Sequence, residues 1–102
     1  MLNVTVMTEV HPEFREQYRE AMLRHANNSF TKEEGCVGFA VHTHESNPNL
    51  FFLYESYRSR KDFEEVHRVA PYLKEVGDLT APWIKSKQLF IWDKVSPEQK
   101  KG

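Results

Sequence analysis

The chain opens on a clean alternation. Over Leu2–Val10, the residues Leu2, Val4, Val6, Thr8 and Val10 fall on one face and Asn3, Thr5, Met7 and Glu9 on the other. A period of two predicts a strand. Pro12 then suits the first turn of a helix. From 13 to about 28, Phe14, Tyr18, Ala21, Met22 and Ala26 recur at helical spacing, with Glu16, Arg19, Glu20 and Arg24 on the wet side. His25 falls on the apolar stripe of that helix. Asn27, Asn28 and Ser29 are expected to loosen its end, and Gly35 to serve as the turn residue that closes the connection.

Alternation returns at 36–44, where Val37, Phe39, Val41 and Thr43 oppose Gly38, Ala40, His42 and His44. The turn-forming run 45–49 predicts a hairpin into a third strand, 50–57. There Phe51, Leu53, Glu55 and Tyr57 point one way and Phe52, Tyr54 and Ser56 the other, so both faces carry aromatics. That suits a strand covered on both sides. Ser59 reads as an N-cap with Asp62 three residues on, and helical spacing then sets Phe63 and His67 on one face. Pro71 is expected to end or kink this helix, with Gly77 and Asp78 breaking any continuation through 72–76. A short helical turn around Pro82 and Trp83 and a last strand at 87–94 complete the domain, 1–95. The polar tail 96–102 is expected to fray.

The predicted order is β-α-β-β-α-β, the ferredoxin-like split arrangement of an α+β domain with helices over one sheet face. All four strands nevertheless carry apolar residues on both faces. A monomer would leave a wide apolar sheet surface in water, so a twofold homodimer, sheet against sheet, is expected. Val41→Lys would break it if that face meets the partner.

Composition narrows the function classes. In 102 residues, 14 basic and 15 acidic side chains are interleaved for a net charge of -1, which gives no basic patch for nucleic acid or a membrane surface. Aromatics make up 13%, enough to line a pocket or an interface as well as fill a core. Cys36 is the single cysteine, so it has no partner for a disulfide within the chain. The start lacks the pattern of a signal peptide and no apolar run approaches ~20 residues, so the cytoplasm is the expected location. Phosphate-binding glycine loops, dinucleotide fingerprints and nucleophile elbows are absent from the sequence, and neither a nucleotide nor a flavin is expected.

Histidines carry the candidate chemistry. His42 and His44 share a strand face like a metal pair, but no third ligand stands at a diagnostic spacing, and no metal is expected. His25 and His67 each lie on the inward stripe of a helix. Either could be a satisfied core histidine; together they could converge on one cavity, where a neutral imidazole is a natural proton acceptor. Glu55, in mid-strand, either pairs with an arginine such as Arg58 or Arg60 or tunes a site histidine. Asn3 could donate to a substrate oxygen or stand as an edge residue.

The run 51–57, Phe-Phe-Leu-Tyr-Glu-Ser-Tyr, with Phe63 and His67 after it and Glu34-Gly35-Cys36 and Phe39 before it, resembles the antibiotic biosynthesis monooxygenase domain over residues 2 to about 94. That resemblance implies a dimeric α+β barrel that oxidises an aromatic or quinone-like quinol with molecular oxygen, using no cofactor. A branch of the family isomerises a phosphorylated ketone of the autoinducer-2 type. It is similar to Val4-Thr-Val6, His25, Glu33-Glu34-Gly35, Tyr54-Glu55, Tyr57, His67 and Pro71, although Tyr72 stands where that branch carries a second histidine. Haem-degrading relatives carry a tryptophan near the position of Val66. A non-catalytic dimer binding a small molecule is the third possibility. The candidate site is therefore His67, His25, Tyr54 and Glu55 for catalysis, and Asn3, Phe39, Tyr57, Phe63 and Tyr72 for substrate binding.

Overall fold

A computed structural model of the chain describes residues 1–96, so the predicted tail lies outside the described residues except for Ser96. Four strands, β1 (Leu2–Val10), β2 (Cys36–Thr43), β3 (Leu50–Tyr57) and β4 (Ile84–Asp93), form one antiparallel sheet in the order β2-β3-β1-β4. Two helices, α1 (Arg15–Lys32) and α2 (Pro71–Thr80), pack on one face of it. The α+β ferredoxin-like arrangement is therefore present. No helix among the described residues is long and apolar enough to cross a membrane.

The alternation read from the sequence sets the core. Leu2, Val4, Val6, Thr8 and Val10 of β1 and Phe51, Leu53, Glu55 and Tyr57 of β3 are all buried under the helices. Tyr18, Ala21, Met22, His25 and Ala26 close the core from α1. In β2 an extra residue at Val37 interrupts the pairing with β3. That bulge turns both Cys36 and Phe39 toward the helices, an odd spacing that a regular strand would split between faces, and leaves Val37 exposed.

Several boundaries differ from expectation. Helix α1 runs on through Asn27, Asn28 and Ser29 to Lys32, because Ser29 is buried and its hydroxyl donates to the His25 carbonyl one turn back, as Thr31 does to Asn27. Gly35 has no positive φ; its missing side chain matters because a Cβ there would overlap Asp62. Asp62 belongs to the predicted capping box: its N–H donates to the Ser59 hydroxyl, which donates back to the carboxylate. Residues 62–67 then form a π-helical turn, closed by the Arg68 N–H to the Phe63 carbonyl at 2.9 Å.

Pro71 starts a helix rather than ending one. Ala70 before it is extended, as a residue ahead of proline prefers, and Pro71 occupies the first helical turn. Gly77 does not break α2, which continues to Thr80; glycine costs a helix only about 1 kcal/mol. β4 begins at Ile84, three residues early, since a bulge at Glu9/Val10 lets Ile84 pair with Val10. The helices cover β2, β3 and β1 but leave β4 uncovered, with Lys87 and Leu89 exposed on the helix side of the sheet.

Candidate active site

The site assembles where α1 ends, where the π-helical turn begins α2's approach, and where β3 runs beneath both. The wide turn carries His67 inward, stacked on Phe63 with ring centroids 5.9 Å apart and beside Tyr57 at 5.2 Å. His25 descends from α1 to within 5.3 Å of the His67 ring, and Phe39 meets His25 edge-on at 5.4 Å. The two inward histidines do converge.

Two buried carboxylates flank His67. At one end Nδ1 lies 3.1 and 3.0 Å from the two oxygens of Glu33; at the other, Nε2 lies 3.7 Å from Oε1 of Glu55. His67, Glu33 and Glu55 are each at most 4% exposed. Hydrogen bonding assigns the tautomer: Nδ1–H donates to the Glu33 carboxylate, and Nε2 keeps its lone pair, too far from Glu55 for a hydrogen bond. Glu55 accepts instead from the Tyr57 hydroxyl at 2.7 Å, and Glu33 accepts from the Tyr72 hydroxyl. Neither arginine weighed for Glu55 pairs with it in the described structure: Arg58 pairs with Glu34, and Arg60 with Glu64 and Asp93.

Burial governs the protonation of this cluster. It pushes Glu55 up to about 7, with the Glu33 charge in the same direction and the Tyr57 hydrogen bond and Lys87 charge opposing. It lowers His67 below the usual imidazole range, although the Glu33 hydrogen bond and charge pull the other way. His25 is held down at about 4, first by burial and then by His67 and Lys87; its Nδ1 has no hydrogen-bond partner among the described residues. Near neutral pH burial therefore favours the uncharged form of both imidazoles and holds a proton on Glu55 far more readily than on an ordinary carboxylate. Such a set can accept a proton at one position and return it at another.

A cavity of about 290 Å³ opens beside the cluster, near the lower end of the usual range for small-molecule sites, about 300–1,000 Å³. Its walls are Val4, Val6, Met22, Leu53, Phe63 and Val76, its floor is His25, His67 and Glu55, and Arg68 and Lys87 stand on its rim. The uncovered β4 is what leaves it open.

The remaining sequence candidates divide. Phe63 lines the cavity, while Phe39 and Tyr57 back its histidines and its glutamate. Tyr72 lies behind the cluster, in a separate cleft. Asn3 and Tyr54 do not join it, because both project from the opposite face of the sheet; Asn3 accepts from Ser56 at 3.0 Å and Tyr54 is exposed. The alternation had already put Tyr54 opposite Glu55, and the two cannot share a cavity on one side of the sheet. His42 and His44 are held by Phe52 and Ser46, and no group of three or more metal-binding side chains occurs among the described residues. Cys36 is buried, with its thiol pushed up to about 11, and is therefore a poor nucleophile. Glu33 was missed as a site residue. A sequence signal existed: a carboxylate at a helix C-terminus opposes the helix dipole, so it needs a partner elsewhere.

Fold and site together define a small ferredoxin-like α+β domain with an acid–base cluster at the bottom of an apolar cavity. The family model for antibiotic biosynthesis monooxygenase matches residues 1–76, and the chain belongs to that family. No curated protein matches the sequence significantly. Among solved structures, a protein of Nitrosomonas europaea assigned by name to the antibiotic biosynthesis monooxygenases is 25% identical, with 94% of this chain and 100% of that one covered and a TM-score of 0.86. Similarly named proteins share the fold: one from Deinococcus radiodurans (16% identity, 100% of both chains, TM-score 0.90) and one from Bacteroides thetaiotaomicron (18% identity, 99% and 95%, TM-score 0.87).

Proposed function

We propose that the chain is a cofactor-independent monooxygenase of a small quinol or activated phenol, with His67 as the base. The observation that supports this most is the clamping of His67, whose Nδ1–H is held by Glu33 and which, with Glu55 3.7 Å from its Nε2, lines a cavity of largely apolar walls. Nε2 takes a proton from the substrate, the resulting anion combines with O2 to give a hydroperoxide at carbon, and loss of water leaves a new carbonyl. The substrate's O–H and ring C–H hydrogens thus leave with one oxygen atom of O2 as H2O, and the other oxygen atom stays on carbon as C=O. Protonated Glu55 is suited to give its proton to the departing oxygen, and the dry walls keep bulk water from quenching the anion. His25 and Phe39 hold the His67 ring, and Phe63 and the aliphatic wall bind the substrate ring.

The exposed apolar residues Met7, Tyr54, Phe90 and Trp92 on the outer sheet face support a homodimer packed sheet against sheet. In that assembly Asn3 and Tyr54 belong to the interface.

Arg68 and Lys87 favour a second reading. Among the described residues neither is paired with a carboxylate at ion-pair distance, and two cations lining an apolar cavity suit an anionic substrate group. An isomerase of a phosphorylated ketone would use the same opening step and return the proton at a neighbouring carbon.

The deciding experiment measures oxygen uptake by chelator-treated protein with dihydroxynaphthalenes and quinols. Uptake above autoxidation that is lost in His67→Ala supports the oxygenase. Absence of uptake, together with deuterium wash-in from solvent into a phosphorylated ketone, would overturn it in favour of the isomerase.

A further inference from the structure

Two separate hollows meet at the histidine cluster. The substrate cavity opens beside β4. On the other side of His25, a second cleft of about 180 Å³ lies in the seam between α1 and α2, lined by Arg24, Asn28, Tyr72 and Glu75 among others. His25 and Val76 belong to the walls of both, so they form the partition between them. Glu33 lines neither. It lies within the partition, accepting from His67 Nδ1–H on the cavity side and from the Tyr72 hydroxyl on the cleft side.

We propose that Glu33 and Tyr72 form a proton relay from His67 to the α1–α2 cleft, separate from the mouth through which substrate enters. This rests on His67 being the base. When Nε2 takes the substrate proton, the proton on Nδ1 passes to Glu33. Once protonated, Glu33 no longer needs the Tyr72 hydroxyl as donor; the hydroxyl turns to give its hydrogen to water in the cleft while its oxygen takes the proton from Glu33, which returns to a carboxylate. Tyr72 stays neutral throughout, as its raised pKa requires. The same links run backwards when Nε2 gives its proton to product, restoring the first tautomer.

The arrangement answers a physical problem. A substrate filling a cavity of this size stands between His67 and the mouth, so a proton taken by Nε2 needs another way to solvent. His25 keeps the partition closed to water, since its ring packs 5.3 Å from His67 and 5.9 Å from Tyr72. Protons cross through the hydrogen-bonded chain while solvent does not. Tyr72 and Glu33 thereby act through His67 and touch no substrate.

Exchange of the His67 Nδ1–H with solvent tests the relay on the resting protein, by nuclear magnetic resonance with isotope-labelled histidine. It needs no substrate, so its outcome is independent of whether the protein is an oxygenase. Tyr72→Phe removes only the hydroxyl and is expected to slow exchange by about tenfold. A signal too broad to see in the parent but visible in the variant counts as that slowing. Exchange that is unchanged or faster in Tyr72→Phe, or a signal invisible in both, overturns the relay, because the proton then leaves by a path that bypasses Tyr72. Leu89→Trp, which narrows the main mouth, should leave exchange unaltered; slowing there would show that the proton leaves through the cavity. Matching melting temperatures for parent and variants check that the fold is intact.

Discussion

The two faces of β3 differ by a single step along the chain and lead opposite lives. Phe51, Leu53, Glu55 and Tyr57 lie under the helices, where Glu55 and Tyr57 satisfy each other at 2.7 Å and Glu55 comes within 3.7 Å of His67. Phe52, Tyr54 and Ser56 look outward beside Met7 and Trp92, with hydrogen bonds such as Ser56 to Asn3 and Trp92 to Thr5 made across neighbouring strands. Both faces are aromatic and both carry polar groups. What separates them is water: the inner polar groups lost it and had to find partners, and that loss moves their proton affinities. Aromatic content does not separate the two faces, whereas burial of titratable groups marks the chemical one.

The largest expected effect sharpens this contrast. His67→Ala should reduce turnover by about 10²–10⁴-fold, the usual contribution of a positioned base, while Ser56→Ala on the outer face should stay within about twofold. Oxygen-uptake rates compare the two directly. A similar loss in both would mean the outer face takes part in catalysis.

Assembly is the outer face's own test. Val41 packs against the core on the helix side, so a charge there would disturb the fold rather than the interface. Trp92→Lys places the charge on the outer face, and sedimentation should then report monomer in place of dimer. A dimer that survives this change has its interface elsewhere.

Stability against pH separates the buried groups from each other. Glu55 binds its proton more tightly folded than unfolded, so its contribution is present below about pH 4.5 and is lost as pH rises through about 7. His25 runs the other way: its contribution is present above about pH 6.5 and is lost as pH falls through about 4. Glu55→Gln should therefore gain roughly 2–3 kcal/mol relative to the parent on going from about pH 5 to about pH 8, read from urea unfolding at both. No difference between the two pH values would place the Glu55 carboxyl in contact with water.

The smallest effect is away from both faces. Gly35→Ala forces its Cβ onto Asp62 and disturbs the Ser59 capping box, at a cost of about 1–3 kcal/mol. A melting temperature unchanged by this substitution would show that Asp62 moves aside freely.

The sequence alone determined the element order, the inward set of β1 and β3, and the placing of His25 and His67 on covered faces, because periodicity records which side of an element avoids water. It could also show that Tyr54 opposes Glu55, since a strand alternates whatever its neighbours do. Only the tertiary structure decided the rest. Ser29 stays helical because burial gives its hydroxyl one good acceptor, and Val37 is pushed out because β2 must match β3. Glu33, read along the chain as a polar turn, becomes the partner of His67 from 34 residues away. Pattern is local, whereas a buried charge is answered by whatever the fold brings beside it, and that meeting of α1's end with the π-helical turn exists only once the chain has packed.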